Sequence, residues 1–179
     1  MRLWVLMLFF GAACATVKPV DPGPAPATYW PFKSGEVLYF ETKAAGGRST
    51  RKVKIKKRKN GWYQVGPGQR LRHDGDGLFD GQRYLIRRPL RVGATWNAIP
   101  KVGVIERFRV VRVAAKCPAA LKEPAPCLAI EARQNVAGQV LLTRWWYAKG
   151  KGLMQVEVFV QQSSGTLRLQ SRLRRKDRP

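Results

Sequence analysis

The sequence predicts an all-β fold: a single curved antiparallel sheet or half-barrel built of consecutive hairpins, after an N-terminal signal segment. Three observations predict it. Apolar and polar side chains alternate along many short runs, the period of strands with two unlike faces. Turn signals recur about every dozen residues, the spacing of an all-β sheet or barrel. No run after the leader carries a helical period. The clearest unit is 145–161, WWYAKGKGLMQVEVFVQ. Trp145, Trp146 and Tyr147 suit a pleated, half-buried surface. Val156, Val158 and Val160 alternate with Gln155, Glu157, Phe159 and Gln161. Gly150 and Gly152 supply the reversal between the two arms.

The chain begins MRLWVLMLFFGAAC. One Arg, a short apolar core and small residues before Cys14 form a secretory signal, residues 1–13. The core is shorter than the roughly 20 apolar residues a membrane-spanning helix needs. A cysteine directly after the small residues resembles the bacterial lipoprotein signal, which implies lipidation at Cys14. Cleavage near Ala13 or Ala15, with Cys14 incidental, is the other reading. Cys14 is followed by Ala15 and Thr16 with no Asp, which in that family implies the outer membrane, facing the periplasm. Secretion to the periplasm is the alternative. Residues 14–28 hold Pro19, Pro22, Pro24 and Pro26. Such composition predicts an extended tether.

The β domain is expected over 29–176. A first strand covers 37–43. The run 49–59 puts Val53 and Ile55 on one face and Lys52, Lys54 and Lys56 on the other. Asn60-Gly61 is a hairpin signal, and 62–65 is its return strand. Asp74, Asp76 and Asp80 have part of the acidic spacing of a calcium loop, but the terminal bidentate Glu is missing, so a tight turn is expected and no metal. Further strands are read at 82–87 and 103–116. Cys117 and Cys127 bracket a proline-stiffened loop. In an exported chain they form a pair once Cys14 is set aside, and a disulfide is expected. Residues 128–136 and 139–148 join through Ala137-Gly138. The last strand, 166–175, places Leu167, Leu169, Ser171 and Leu173 opposite Arg168, Gln170, Arg172 and Arg174.

The segments Tyr29-Trp30-Pro31-Phe32, Gly77-Leu78-Phe79, Pro89-Leu90-Arg91-Val92-Gly93-Ala94-Thr95-Trp96 and 146–153 together resemble small bacterial envelope lipoproteins of the TapB-like type. The resemblance spans most of the domain and implies a curved antiparallel sheet or half-barrel in the envelope, with no implied activity. By architecture alone the chain is also similar to half-barrel carriers of the LolA type, and fold does not license function.

Lys and Arg number 34 against 11 Asp and Glu, a net charge of +23. Such a surface seeks anionic surroundings. Candidate anion-binding residues are Lys52, Lys54, Lys56, Lys57, Arg58, Arg168, Arg172, Arg174 and Arg175. The lysine row reads more simply as a solvated face or a charge guard on an edge strand. Trp62, Trp96, Trp145 and Trp146 either line a concave cradle for an acyl chain or partner protein, or form ordinary core. Catalysis is not expected. His73 is the sole histidine, and no nucleophile elbow, phosphate loop or dinucleotide fingerprint is present. No cofactor is expected. Nucleic acid is an improbable partner for an exported, tethered chain, despite basic strands with aromatics. The sequence thus points to a lipid-anchored, non-catalytic envelope protein with a basic face for anionic lipid, lipopolysaccharide or wall polymer, or alternatively to a half-barrel carrier.

Overall fold

The computed structural model describes Asp21, residues 23–118 and residues 125–176. Cys14 and the rest of the expected signal lie outside these residues. Twelve strands follow in order: β1 (Val37–Ala44), β2 (Gly47–Lys57), β3 (Tyr63–Val65), β4 (Gln69–His73), β5 (Gly77–Phe79), β6 (Tyr84–Arg87), β7 (Thr95–Lys101), β8 (Val104–Lys116), β9 (Pro126–Val136), β10 (Gln139–Ala148), β11 (Gly152–Gln161) and β12 (Leu167–Lys176). All pairings are antiparallel, and the spatial order is β6-β5-β4-β3-β2-β1-β12-β11-β10-β9-β8-β7. Every pairing therefore joins chain neighbours except at one place. There the first strand pairs with the last, Tyr39 opposite Lys176 and Lys43 opposite Arg172.

That one non-local pairing joins two meanders into a strongly curved, nearly closed barrel. The two sheet edges, β6 and β7, are consecutive in the chain. Side chains bridge the seam. The indole Nε1 of Trp96 donates to the Tyr84 carbonyl oxygen at 2.9 Å. Arg83 pairs with Glu106, which is only 5% exposed. Burial lowers the Arg83 pKa, but the hydrogen bond and charge of Glu106, with those of Asp80, outweigh it and the net shift is upward. Short edge strands, side-chain cover and Pro100 in β7 protect unpaired backbone from foreign strands.

Alternation sorts the side chains. Leu38, Phe40, Ile55, Leu71, Leu78, Ile86, Phe108, Val110, Ile130 and Tyr147 face the barrel interior and are buried. Trp96, Phe108 and Trp145 stack there, with centroids 5.1 and 5.8 Å apart. Ring pairs of this kind add about 0.5–1.5 kcal/mol beyond their area burial. The adjacent Trp146 must point the other way. It lies on the outer side with Cys127, Ala129, Ala148 and Met154 in a second cluster, against which Cys117 and Ala125 pack. Cys117 and Cys127 form the expected disulfide, Cα atoms 5.2 Å apart, beside this cluster. Trp62 also lies outside, under Arg70 and Arg72 at 5.7 and 5.0 Å. Of the four tryptophans proposed for a cradle, then, two are interior core and two are exterior.

The last residues of the expected tether are packed, and most of its earlier part lies outside the described residues. Pro26–Thr28 forms one turn of 3-10 helix with Pro26 buried, and the Gly150 amide donates to the Thr28 carbonyl oxygen at 2.7 Å. Tyr29 and Trp30 follow into the barrel end, each 3% exposed. Proline has no amide to satisfy, so this segment packs at little polar cost.

Candidate anion-binding face

The strands carry four carboxylates, Glu41, Glu106, Glu131 and Glu157, and every one is paired. Glu41 meets Lys176 at 3.7 Å. Glu106 meets Arg83 at the seam. The other two belong to a ladder across the outer face. Register aligns Arg109, Glu131, Arg144, Glu157 and Arg172 on five successive strands. The Nε of Arg144 donates to Glu131 at 2.7 Å, and the Nε of Arg172 donates to Glu157 at 3.1 Å. Arg144 also reaches Glu157 at 3.7 Å, and the Trp146 indole donates to it at 3.5 Å. Glu157 is 7% exposed although it faces outward, because these neighbours cover it. A partly desolvated, multiply bonded carboxylate of this kind contributes more than an isolated surface pair.

The carboxylates being engaged, the surplus cations face solvent. Lys52, Lys54 and Lys56 project from the outer side of β2, all exposed. Register adds Lys43 of β1, between Arg48 of β2 and Arg172 of β12. Lys43 and Arg48 extend the face beyond the sequence candidates. They are found only once β1 is known to lie between β2 and β12, although the alternation of Tyr39, Glu41 and Lys43 was readable. Among the described residues, Lys43, Arg48, Lys52, Lys54 and Lys56 make no ion pair.

The other candidates divide. Lys57 is exposed at the end of β2, its amide bonded to the Ser34 hydroxyl at 3.3 Å. Arg168 is exposed in β12, and Arg174 stands outward between Gln155 and Glu41 in register. Arg58 holds Gln64 at 3.0 Å. Arg172 is tied to Glu157, and Arg175 turns the other way to Glu36 at 3.2 Å and the Lys151 carbonyl oxygen. Arg172 and Arg175 therefore act first as structural ion-pair partners.

The titratable groups of the Asp-rich region have structural roles. Asp74 Oδ1 accepts from the amides of Asp76 and Gly77 at 3.0 and 2.9 Å, the expected tight turn. A Cβ at Gly77 would fall 2.0 Å from the Ile86 carbonyl oxygen, so only glycine fits that turn. Asp80 caps its own turn and holds Arg83 at 3.2 Å. His73 Nε2 donates to the Trp30 carbonyl oxygen at 2.8 Å, and its ring lies 5.0 Å from Phe32. This histidine fastens the entering segment to the barrel end.

The fold and the face define a class: a basic, nearly closed antiparallel β-barrel with a charge ladder on its wall. Comparison with known protein families, curated proteins and solved structures finds no match to this chain.

Proposed function

We propose that the chain is a non-catalytic bacterial envelope protein, lipid-anchored at Cys14, whose cationic outer face lies against anionic lipid headgroups, lipopolysaccharide or wall polymer. The proposal takes the TapB-like resemblance and the leader for location, and the outer membrane facing the periplasm as the site. One observation supports the basic face above all: the strand carboxylates are engaged in ion pairs, while Lys43, Arg48, Lys52, Lys54 and Lys56 stand exposed on adjoining strands. The non-catalytic reading is supported by the structural work of His73, Asp74 and Asp80. The carrier alternative is weakened because large buried side chains occupy the barrel interior.

Each Lys or Arg close to an anionic surface contributes about 1 kcal/mol, falling with salt. The Cys14→Ser chain, freed of lipid, is expected to co-sediment with vesicles containing anionic lipid and to be released by high salt. Equal capture by zwitterionic vesicles would contradict the face. Mass analysis of the mature N-terminus, with palmitate labelling of wild type and Cys14→Ser, tests the anchor. Label is expected on wild type alone.

A further inference from the structure

A second cationic feature lies away from the β2–β1–β12 face, on the outer side of β7–β10. There an open groove of about 1030 Å³ is bordered by Asn97, Ile105, Arg107, Arg109, Arg133 and Asn135. Register sets Arg107 directly opposite Arg133, with Asn97 opposite Arg107 on the other side. Like charges directly opposite destabilise a sheet. The next row shows the stabilising solution, since Glu131 stands between Arg109 and Arg144 there. Among the described residues, Glu131 is the one acid lining the groove, and it is engaged by Arg144. Among the described residues, Arg107, Arg109 and Arg133 make no ion pair, and all three are exposed. Neighbours two apart on a strand are about 7 Å apart and opposite ones about 5 Å, so the three guanidinium groups lie within reach of one small anion.

The remaining lining narrows the chemistry. Guanidinium forks take carboxylate or phosphate oxygens two at a time. The amides of Asn97, Asn135 and Gln161 both donate and accept, as hydroxyl-rich ligands require. Phe108, the one aromatic residue of the lining, is 1% exposed, so the groove offers no platform for stacking bases. Ile105 and Val140 give too small an apolar surface for an acyl chain. We propose that this groove binds an anionic saccharide, a sugar bearing carboxylate or phosphate, through Arg107, Arg133 and Arg109. The proposal does not depend on the lysine face.

Calorimetry on the Cys14→Ser chain tests it with three probes: trigalacturonate, a phosphorylated glucosamine disaccharide and neutral chitotriose. One acidic probe at least is expected to bind, identifying carboxylate or phosphate as the anion, and chitotriose to bind at least tenfold more weakly. Arg107→Gln with Arg133→Gln is expected to weaken the acidic probe at least tenfold and to leave the melting temperature unchanged or higher, since a like-charge pair is relieved. Lys52→Gln with Lys54→Gln is expected to change its affinity less than twofold. Equal binding of the neutral sugar, no binding of either acidic probe, an equal loss in the lysine variant, or a lowered melting temperature in the arginine variant would overturn the proposal.

Discussion

Tyr147 carries its phenol into the barrel, fully buried, and its hydroxyl has no hydrogen-bond partner among the described residues. An unpaired buried hydroxyl costs about 1–3 kcal/mol. Tyr147→Phe is therefore expected to raise stability by about 1 kcal/mol, seen as a melting temperature about 3 °C higher, where most Tyr→Phe changes in a core lower it. Burial also pushes the pKa of Tyr147, and that of Tyr29, above the ordinary value of 10.0. Tyr84 moves the same way through burial and then its hydrogen bond to Asp74. The unfolded chain releases these protons first as the pH rises. The stabilisation is whole below pH 10 and is lost as pH climbs through the folded values, with a slope for Tyr147 of about 1.4 kcal/mol per pH unit. Urea midpoints at pH 9, 10 and 11 are expected to fall across the last interval, and Tyr147→Phe to flatten the fall. Gly152 makes a third case. Its φ is +86°, and a Cβ would sit 2.7 Å from the Trp30 ring. Gly152→Ala should cost at least about 2 kcal/mol, with Trp30 fluorescence shifted to longer wavelength as the segment loosens.

At the scale of elements, the hairpins were the most legible part. Ala137 and Gly138 adopt φ of 51° and 80° between β9 and β10, and Asn60 and Gly61 adopt 56° and 73° between β2 and β3. Those dipeptides carry their conformation in their chemistry. The strands β4, β5 and β7 were not legible. Gln69–His73 offers one buried apolar residue, Leu71, among polar ones, and Gly77–Phe79 is three residues long. Thr95–Lys101 contains Pro100, which an edge strand tolerates but a sequence pattern rejects. The disulfide was legible because the spacing of Cys117 and Cys127 agrees with the expectation of an exported chain. It joins β8 to β9 across ten positions, and in the loop-entropy model its loss costs about 3 kcal/mol. Cys117→Ser with Cys127→Ser is expected to lower the urea midpoint accordingly, with the outer cluster around Trp146 and Met154 losing protection against hydrogen exchange first.

Over the whole molecule, the sequence showed how many cations exceed the anions, but not which cations remain free. Composition is blind to that, because pairing depends on register across strands far apart in the chain. Glu157 meets Arg172 because β11 pairs β12, and Arg48 joins the lysine face because β1 pairs both β2 and β12. Once register is fixed, the charges divide into two kinds with separate effects. Paired arginines such as Arg144 and Arg172 hold the wall together, and lysines such as Lys52 and Lys54, with no ion pair among the described residues, face solvent. The same register also explains why Trp145 and Trp146, adjacent in sequence, serve different clusters on opposite faces. The most direct measurement compares two variants of equal charge in the Cys14→Ser chain, Lys52→Gln with Lys54→Gln and Arg144→Gln with Arg172→Gln, for binding to anionic vesicles and for urea stability. The lysine variant should lose most of its vesicle affinity and keep its stability, and the arginine variant should lose about 2 kcal/mol of stability while binding more nearly as before. Equal losses of binding in the two, with stability equally unaffected, would show that net charge alone attracts the protein and that the division of its cations has no functional meaning.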